Sequence, residues 1–296
     1  MGYYLLYKIG QFLAISLSLK RGYWLAEKIG AVWFYLNRKA RAKVLDNLEV
    51  ILEQNKGKEL KLAAREVFIN FAKYLIEFFR LSKLSKQYIK EKINFKNFEV
   101  IESFRNKGVI LLSAHLGNWE LGAAIIAKLG IKLNIIAITH KHKKIDLLFR
   151  KQREKHGMKI VSPGASIRGI LKNLRAGEAL ALLGDRDFTY HGIEMDFFGK
   201  RTLIPKGPAF FSLKTGCPIV CLFPIREKDN SFSYFIEDPI YPPATPMSIG
   251  VTDENIKKMN RKILKTIEKY IRRYYTQWLM IHRLWAGREE KREEII

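Results

Sequence analysis

The sequence predicts an α/β fold, and three observations support that prediction. Short runs that are apolar throughout follow residue 98, and several of them lead into a segment with helical periodicity. Strands covered on both faces have this composition, and their alternation with helices is typical of an α/β layer. Neither a repeat nor a Gly/Ser-rich or Pro-rich linker divides the chain. We therefore expect one large domain with a helical amino-terminal extension.

The composition is that of a folded and strongly cationic protein. The chain has 296 residues, of which 53 are Lys or Arg and 29 are Asp or Glu, and 48% are hydrophobic. This length excludes a small stapled scaffold, and this hydrophobic content excludes a disordered chain. The net charge of +24 predicts a polyanionic partner, either nucleic acid or an anionic membrane surface. Cys217 and Cys221 lack the spacing of a redox or zinc site, so we expect them to be reduced and buried.

The amino-terminal extension is predicted to associate with a membrane. Residues 3–19 are largely apolar, but a helix of that length is somewhat short for the roughly 30 Å hydrocarbon core. Lys20 and Arg21 follow the apolar run instead of preceding it, which is unlike a cleaved signal. We assign residues 1–22 to a membrane-associating helix that spans or lies on the bilayer, and residues 23–296 to the main domain. A helix packed on the domain is the alternative.

Periodicity locates the elements along the chain. Apolar residues between Ala64 and Phe79 recur at steps of three and four, and the first 80 or so residues are predicted to be helical. Strands are predicted in six runs: GVILLSA, KLNIIAIT, KIV, ALALLGD, PIVCLFPI and SYFIED. The segment from Asp253 to Gln277 returns to a helix rich in Lys and Arg, and the tail REEKREEII is a solvated end of mixed charge.

The most informative segment is SAHLGNWELG, residues 113–122. It joins a predicted strand to a predicted helix, so His115 lies at the carboxyl end of a strand, where open α/β sheets bind ligands, and Asn118 can cap the helix. His115 and Glu120 would be about 140° apart on a continuous helix, so they converge only if a turn through Gly117 intervenes. A histidine with a carboxylate on its second ring nitrogen can act as a general base. Two unrelated surface residues are the alternative.

These residues resemble a known family, the lysophospholipid acyltransferase-like lipid A biosynthesis acyltransferases, which include lauroyl and myristoyl transferases and phosphatidylinositol mannoside acyltransferases. The resemblance begins with AHLGNWE, of the form HxxxxE/D, and continues through GDRD, GIEMDFFGK, IPKGPAFFSLKTGCPIV and QWLMIHRLW in the family's order. It implies a glycerolipid-acyltransferase-like αβα domain with a mixed central sheet. It also implies transfer of a fatty acyl chain from an acyl carrier protein or coenzyme A thioester to a hydroxyl of a membrane glycolipid. In that reaction His115 is the base and Glu120 its motif partner.

The resemblance implies further site residues. Glu194, in GIEMDFFG, resembles a glutamate that contacts the catalytic histidine of the mannoside acyltransferases, so it competes with Glu120 for the orienting role. Substrate-binding roles are implied for Arg150, Arg153, Asn118, Asp185, Asp187 and Lys206. Arg153 is a candidate to hold a phosphate or the developing oxyanion, and the backbone N–H groups near Gly117 and Asn118 are another source of oxyanion stabilisation. The alternatives are a solvated helix face for the arginines and a structural ion network for the aspartates.

The other histidines are not expected to bind a metal. His140, His142, His156 and His191 have no regularly spaced partners that would complete a ligand set, so we expect surface or supporting roles. His282 is expected to pack or hydrogen-bond near the carboxyl terminus. The chemistry requires neither a metal nor a cofactor.

The expected partners are the acyl carrier protein or acyl-CoA donor, a phosphorylated glycolipid acceptor and an anionic membrane surface at the cytoplasmic face of a bacterial inner membrane. Cations outnumber acids by five between residues 140 and 155, which favours attraction of an anionic partner. A mannoside glycolipid acyltransferase is an alternative. A glycerophospholipid or lysophospholipid acyltransferase is another, although that class prefers Asp where Glu120 stands. A basic nucleic-acid-binding protein explains the charge but not AHLGNWE, and we expect no nucleic-acid partner.

Overall fold

The computed structural model describes residues 2–53, 57–137, 142–161, 167–243 and 251–285. His140 and the predicted solvated tail lie outside the described residues.

Four helices build the amino-terminal part of the chain: α1 (Gly2–Ser16), α2 (Leu19–Leu36), α3 (Arg38–Leu52) and α4 (Lys58–Phe79). Polar caps mark the start of α2 and α3, because the Ser18 hydroxyl accepts from the Arg21 N–H and the Asn37 side chain accepts from the Ala40 N–H. The helical prediction for this part is confirmed. Within the described ranges, none of the helices is both long and apolar enough to cross a bilayer.

Strands and helices alternate in the rest of the chain. The strands are β1 (Ile93–Lys96), β2 (Val109–Ser113), β3 (Leu133–Ile136), β4 (Met158–Val161), β5 (Ala179–Leu183), β6 (Ile193–Phe197), β7 (Lys200–Ile204), β8 (Ile219–Arg226) and β9 (Phe232–Ile236). The helices are α5 (Lys86–Lys92), α6 (Phe98–Glu102), α7 (Trp119–Lys128), α8 (Lys143–Lys155), α9 (Ile167–Arg175), α10 (Gly207–Thr215) and α11 (Asp253–Arg273). Short 3₁₀ helices occupy Arg80–Lys83 and Tyr275–Gln277.

The central sheet is mixed and has the strand order β1-β9-β8-β2-β5-β3-β4. The strands from β8 to β4 in this order run parallel to one another, whereas β9 is antiparallel to β8 and β1 is parallel to β9. The predicted α/β fold with a mixed sheet is confirmed. β6 and β7 form a separate antiparallel ribbon.

Helices bury both faces of this sheet. On β2, Ile110 and Leu112 belong to one apolar core together with Ile267 of α11, whereas Leu111 belongs to a second core with Ile125 of α7. Every residue of β2 is buried, which explains why its run is apolar up to Ser113. The cysteines, Cys217 and Cys221, are free and buried as predicted.

All six predicted runs contain a strand, but β1 and the β6–β7 ribbon were not predicted. Buried and exposed residues alternate from Ile193 to Phe197, which is the period-two pattern of a strand covered on one face. The ribbon turns at Phe198 and Gly199, whose φ values are 52° and 74°. Two positive φ values are what a two-residue type I′ hairpin turn requires.

Candidate active site

The carboxyl edge of the sheet brings His115 and Asp185 together. β2 and β5 are parallel neighbours in which Ser113 lies opposite Leu183. Since each side chain comes two residues after the end of its strand, the register places the two side by side. Nδ1 of His115 lies 2.9 Å from Oδ1 of Asp185, and the backbone N–H of His115 donates to Oδ2 at 3.0 Å.

Asp185 is fully buried beneath the imidazole. Its Oδ2 also accepts from the indole N–H of Trp278 at 2.9 Å. Burial alone would raise the pKa of Asp185, but the His115 imidazole and these hydrogen bonds outweigh it, so the pKa lies below its usual range. An ionised carboxylate only accepts hydrogen bonds, so Nδ1 of His115 carries the hydrogen and Nε2 is left as the basic nitrogen.

The imidazole contacts two aromatic rings. The ring centroid of Trp119 is 5.1 Å away and that of Phe188 is 5.8 Å away, both in edge-on geometry. The His115 side chain keeps 18% of its surface exposed. A hydroxyl can therefore reach the partly exposed ring.

Main-chain hydrogen bonds hold the turn between β2 and α7. The Gly117 N–H donates to the Gln277 carbonyl and the Asn118 N–H donates to the Pro224 carbonyl, each at 3.0 Å. The side chain of Asn118 accepts from the Leu121 N–H at 2.9 Å, so the predicted cap is confirmed. The main-chain N–H groups of Gly117 and Asn118 are thus already engaged. They do not provide the free oxyanion donors that we expected there.

Glu120 pairs with Arg153 of α8 instead of with His115. Arg153 Nε lies 3.2 and 3.1 Å from the two carboxylate oxygens of Glu120, and Nη2 lies 2.5 Å from Oε1. The side chains of Arg153 and Glu120 are only 12% and 6% exposed. Burial alone would lower the pKa of Arg153, but the charge and hydrogen bonds of Glu120 raise it above its ordinary value. Glu120, the second residue of α7, thus points to α8. The residue at Nδ1 of His115 is Asp185.

Three further predicted site residues lie in separate parts of the chain. Glu194 lies on the exposed face of β6, opposite Leu203, and its orienting role stays a prediction. Arg150 forms an exposed pair with Glu154 at 2.8 Å within α8. Lys206, just before α10, lies 2.9 Å from Asp253 at the start of α11.

Asp187 organises the loop that follows β5. Its Oδ1 accepts from the backbone N–H and the hydroxyl of Thr189 at 3.1 and 2.7 Å, and its Oδ2 accepts from the Gly192 N–H at 3.0 Å. This loop carries Phe188, which covers one side of the imidazole. These hydrogen bonds indicate that Asp187 holds the loop in place.

The carboxyl-terminal segment supplies residues that were not predicted for the site. Besides the Trp278 indole, the Leu279 N–H donates to the His115 carbonyl at 2.7 Å. The QWLMIHRLW block was noted in the sequence. Its contacts with His115 and Asp185 could not be predicted without the order of the strands. His282 has the predicted packing role, since its ring centroid lies 6.4 Å from that of Phe188.

The other described histidines flank α8 or lie on the surface. His142 precedes the first residue of α8, His156 follows its last residue, and His191 is exposed. In the described ranges, no three His, Cys, Asp or Glu side chains converge as a metal site would require.

A partly exposed histidine, oriented by a buried aspartate at the carboxyl edge of an α/β sheet, has the geometry of a general-base site. The chain as a whole matches the family described as bacterial lipid A biosynthesis acyltransferase over residues 3–286. The protein therefore belongs to this family, and the resemblance predicted from its motifs is confirmed.

Individual relatives carry acyltransferase names. The lipid A biosynthesis acyltransferase 2 of Shigella flexneri is 23% identical over 269 residues, which cover 88% of this chain and 82% of the relative. The lipid A biosynthesis acyltransferase of Haemophilus influenzae is 22% identical over 280 residues, or 93% of this chain and 82% of the relative. A phosphatidylinositol mannoside acyltransferase of Mycolicibacterium smegmatis is 25% identical over 168 residues. That last match spans 55% of this chain and only about half, 54%, of the relative.

Proposed function

We propose that this protein transfers a fatty acyl chain from an acyl carrier protein or coenzyme A thioester to a hydroxyl of a membrane glycolipid such as a lipid A precursor. Family membership supports acyl transfer, and the two relatives aligned over most of their length are named for lipid A biosynthesis. The observation that carries the mechanism is the pairing of His115 with buried Asp185. We place the reaction at the cytoplasmic face of a bacterial inner membrane.

In the proposed reaction, Nε2 of His115 removes the proton of the acceptor hydroxyl while its oxygen attacks the thioester carbonyl. Asp185 stabilises the resulting imidazolium through Nδ1. The tetrahedral oxyanion then collapses and expels the thiolate, which takes the proton from Nε2 of His115 and leaves as the thiol, so no covalent acyl-enzyme is required. The positive end of α7, which starts at Trp119, lies four residues after His115 and favours the developing negative charge.

The donor and acceptor are tested directly with purified protein. Acyl carrier protein and coenzyme A thioesters of several chain lengths are combined with phosphoglycolipid, mannoside, lysophospholipid and glycerol phosphate acceptors, and products are identified by mass. We expect a product with a phosphoglycolipid, which disappears in His115→Ala and persists in the control His191→Ala, whose histidine is exposed. Absence of product from every glycolipid with both donor classes contradicts the proposal. Product only from a lysophospholipid or glycerol phosphate favours the alternative class.

The Glu120–Arg153 pair is proposed to shape the site without orienting His115. Glu120→Gln leaves the Arg153 charge buried, so we expect the free energy of unfolding to fall by roughly 3 to 5 kcal/mol. Glu120→Gln/Arg153→Gln removes both charges and is expected to recover much of that loss. Denaturant titration of the single and double variants measures it. A Glu120→Gln protein that is fully stable but inactive would instead support Glu120 as the partner of the histidine.

The surface of α1 and α2 supports contact with lipid. Large apolar side chains that are between 47% and 77% exposed follow one another along the two helices: Leu5, Leu6, Ile9, Phe12, Trp24, Ile29, Val32, Tyr35 and Leu36. Exposed cations stand among and around them: Lys8, Lys20, Arg21, Lys28, Arg38 and Lys39. α1 also adjoins basic α8, because the rings of Tyr7 and Phe149 are 5.8 Å apart. An apolar surface bordered by cations fits an anionic bilayer interface.

Removing apolar side chains from α1 is expected to weaken membrane binding. Leu6→Ser/Phe12→Ser takes two large exposed side chains from the surface, so we expect partitioning onto phosphatidylglycerol vesicles to fall at least about 10-fold. Ile167→Ser/Tyr241→Ser, which removes exposed apolar side chains elsewhere, is the matched control. Vesicle co-sedimentation measures both. Equal binding by the two double variants contradicts the assignment of this surface.

A further inference from the structure

A buried ion pair lies directly behind the turn that follows His115. Glu77, in the last turn of α4, lies 2.6 and 2.9 Å from Nε and Nη2 of Arg226 on β8. The Tyr23 hydroxyl of α2 donates to Glu77 at 2.7 Å, and the Asn118 amide donates to it at 2.6 Å. The side chains of Glu77 and Arg226 are 3% and 4% exposed. One carboxylate thus connects α2, α4, β8 and the turn before α7.

The stability of the fold is a weak explanation for such a pair. Taking two charges out of water is costly, and well-packed apolar residues often serve stability equally well in the same space. A buried charge does specify the orientation of the groups that must satisfy it. We therefore consider what Glu77 orients.

Glu77 fixes the direction of the Asn118 carboxamide. A carboxylate only accepts, so the amide must turn its NH₂ toward Glu77. Its oxygen then faces the first turn of α7 and accepts from the Leu121 N–H at 2.9 Å. With the amide reversed, the cap of α7 would be lost and an amide NH₂ would face a backbone N–H.

Arg226 holds the other side of the same turn. Its backbone N–H donates to the Gln277 side chain at 3.0 Å, and that side chain donates back to the Arg226 carbonyl at 2.8 Å. The Gln277 carbonyl in turn accepts the Gly117 N–H at 3.0 Å. The Glu77 side chain and the Arg226 main chain therefore hold Asn118 and Gly117, two of the three residues that lead from His115 into α7.

We infer that Glu77 is a positioning residue, which acts through Asn118 to set the placement of His115 relative to the start of α7. Its effect on turnover rests on the proposed function, whereas its effect on the turn does not. Misplacement of a base by about 1 Å can reduce the rate about 100-fold. Because Glu77 is remote from the substrates, the effect falls on kcat and not on KM.

The test exchanges donor and acceptor between the two side chains. Glu77→Gln removes the charge that orients Asn118, and Asn118→Asp sets two carboxylates against each other. Glu77→Gln/Asn118→Asp restores one charge and one hydrogen bond, now donated by residue 77. We expect kcat to fall about 10- to 100-fold in each single variant with KM within about threefold, and the double variant to regain most of the loss. Ser212→Ala, which removes a fully buried hydrogen bond in α10, is the stability control and is expected to keep kcat within about twofold.

Hydrogen exchange gives a readout that needs no substrate. Amides of residues 117–121 are expected to exchange at least about 10-fold faster in Glu77→Gln, and to be protected again in the double variant. If the wild type has no acyltransferase activity, the proposed function fails, but exchange still decides the role of Glu77. Unchanged exchange in Glu77→Gln, or a double variant no better than the worse single variant in both measurements, overturns the inference. Loss of folding in Glu77→Gln with a folded and protected double variant supports it.

Discussion

Asp185→Asn is expected to reduce kcat about 10³- to 10⁴-fold with the fold retained, by analogy with the aspartate of hydrolase triads. The Oδ2 position receives two N–H donors, from His115 and Trp278, so an amide nitrogen cannot occupy it. The NH₂ of the introduced amide must then face Nδ1 of His115 and donate to it. This selects the tautomer in which Nε2 carries the hydrogen, and such an imidazole cannot accept the proton of the acceptor hydroxyl.

The same variant predicts a pH dependence of stability. The pKa of Asp185 is lowered in the folded protein, so its ionised form contributes stability above the unfolded value of about 3.9, which is lost as the pH falls through the folded pKa. The stability difference between wild type and Asp185→Asn is therefore expected to shrink as the pH falls below about 4. Asp196→Asn, at an exposed aspartate of the ribbon, is the control for kinetics and stability. A kcat for Asp185→Asn within tenfold of wild type contradicts this assignment.

Gly117→Ala is expected to be among the most destabilising single substitutions in the chain. Gly117 has a φ of +64°, and a Cβ built there would lie 1.9 Å from the Pro224 carbonyl oxygen. The turn must move away from β8, which breaks the hydrogen bonds of the turn as well. We expect the free energy of unfolding to fall by at least about 4 kcal/mol, and turnover to be lost with the placement of His115.

Gly216→Ala separates the cost of backbone strain from the cost of a close contact with the added Cβ. Gly216 has a φ of +76°, but no atom lies within 4 Å of a Cβ built there. Its substitution is expected to cost only the left-handed backbone strain, about 1 to 2 kcal/mol. Thermal and denaturant unfolding measure both variants. Equal losses would mean that close approach to Pro224 is not what requires glycine at position 117.

The strands and the position of His115 could be predicted from the sequence because both are local properties. A fully buried strand such as β2 is apolar at every residue but its last, and the turn after it contains Gly117 and the capping Asn118. The partner of His115 was not local. Asp185 is 70 residues away and becomes a neighbour only because β5 pairs with β2, a strand order that no motif specifies. The family motif instead pointed to Glu120, whose side chain is paired with Arg153.

The residues behind the site were missed for a similar reason. Glu77 and Tyr23 occur in helices whose patterns predict packing, and one buried carboxylate does not disturb a helical period. Their chemistry becomes visible only when Arg226 and Asn118 are placed against them. By contrast, the alternation from Ile193 to Phe197 was present in the sequence and was sufficient to predict β6.

Gly30 lets α2 lie directly against the main chain of α4, since a Cβ at that position would be 2.7 Å from the Ile69 Cα. The outer side of α2 carries Trp24, and the inner side of the same helical turn carries Tyr23. A truncated form that begins at Leu19 keeps both sides of α2, but it loses the Leu17 carbonyl to which Arg80 donates. Truncation through Leu36 would remove α2 as well, together with its apolar outer surface. The Glu77 carboxylate would then be exposed to water, and we expect the enzyme not to fold.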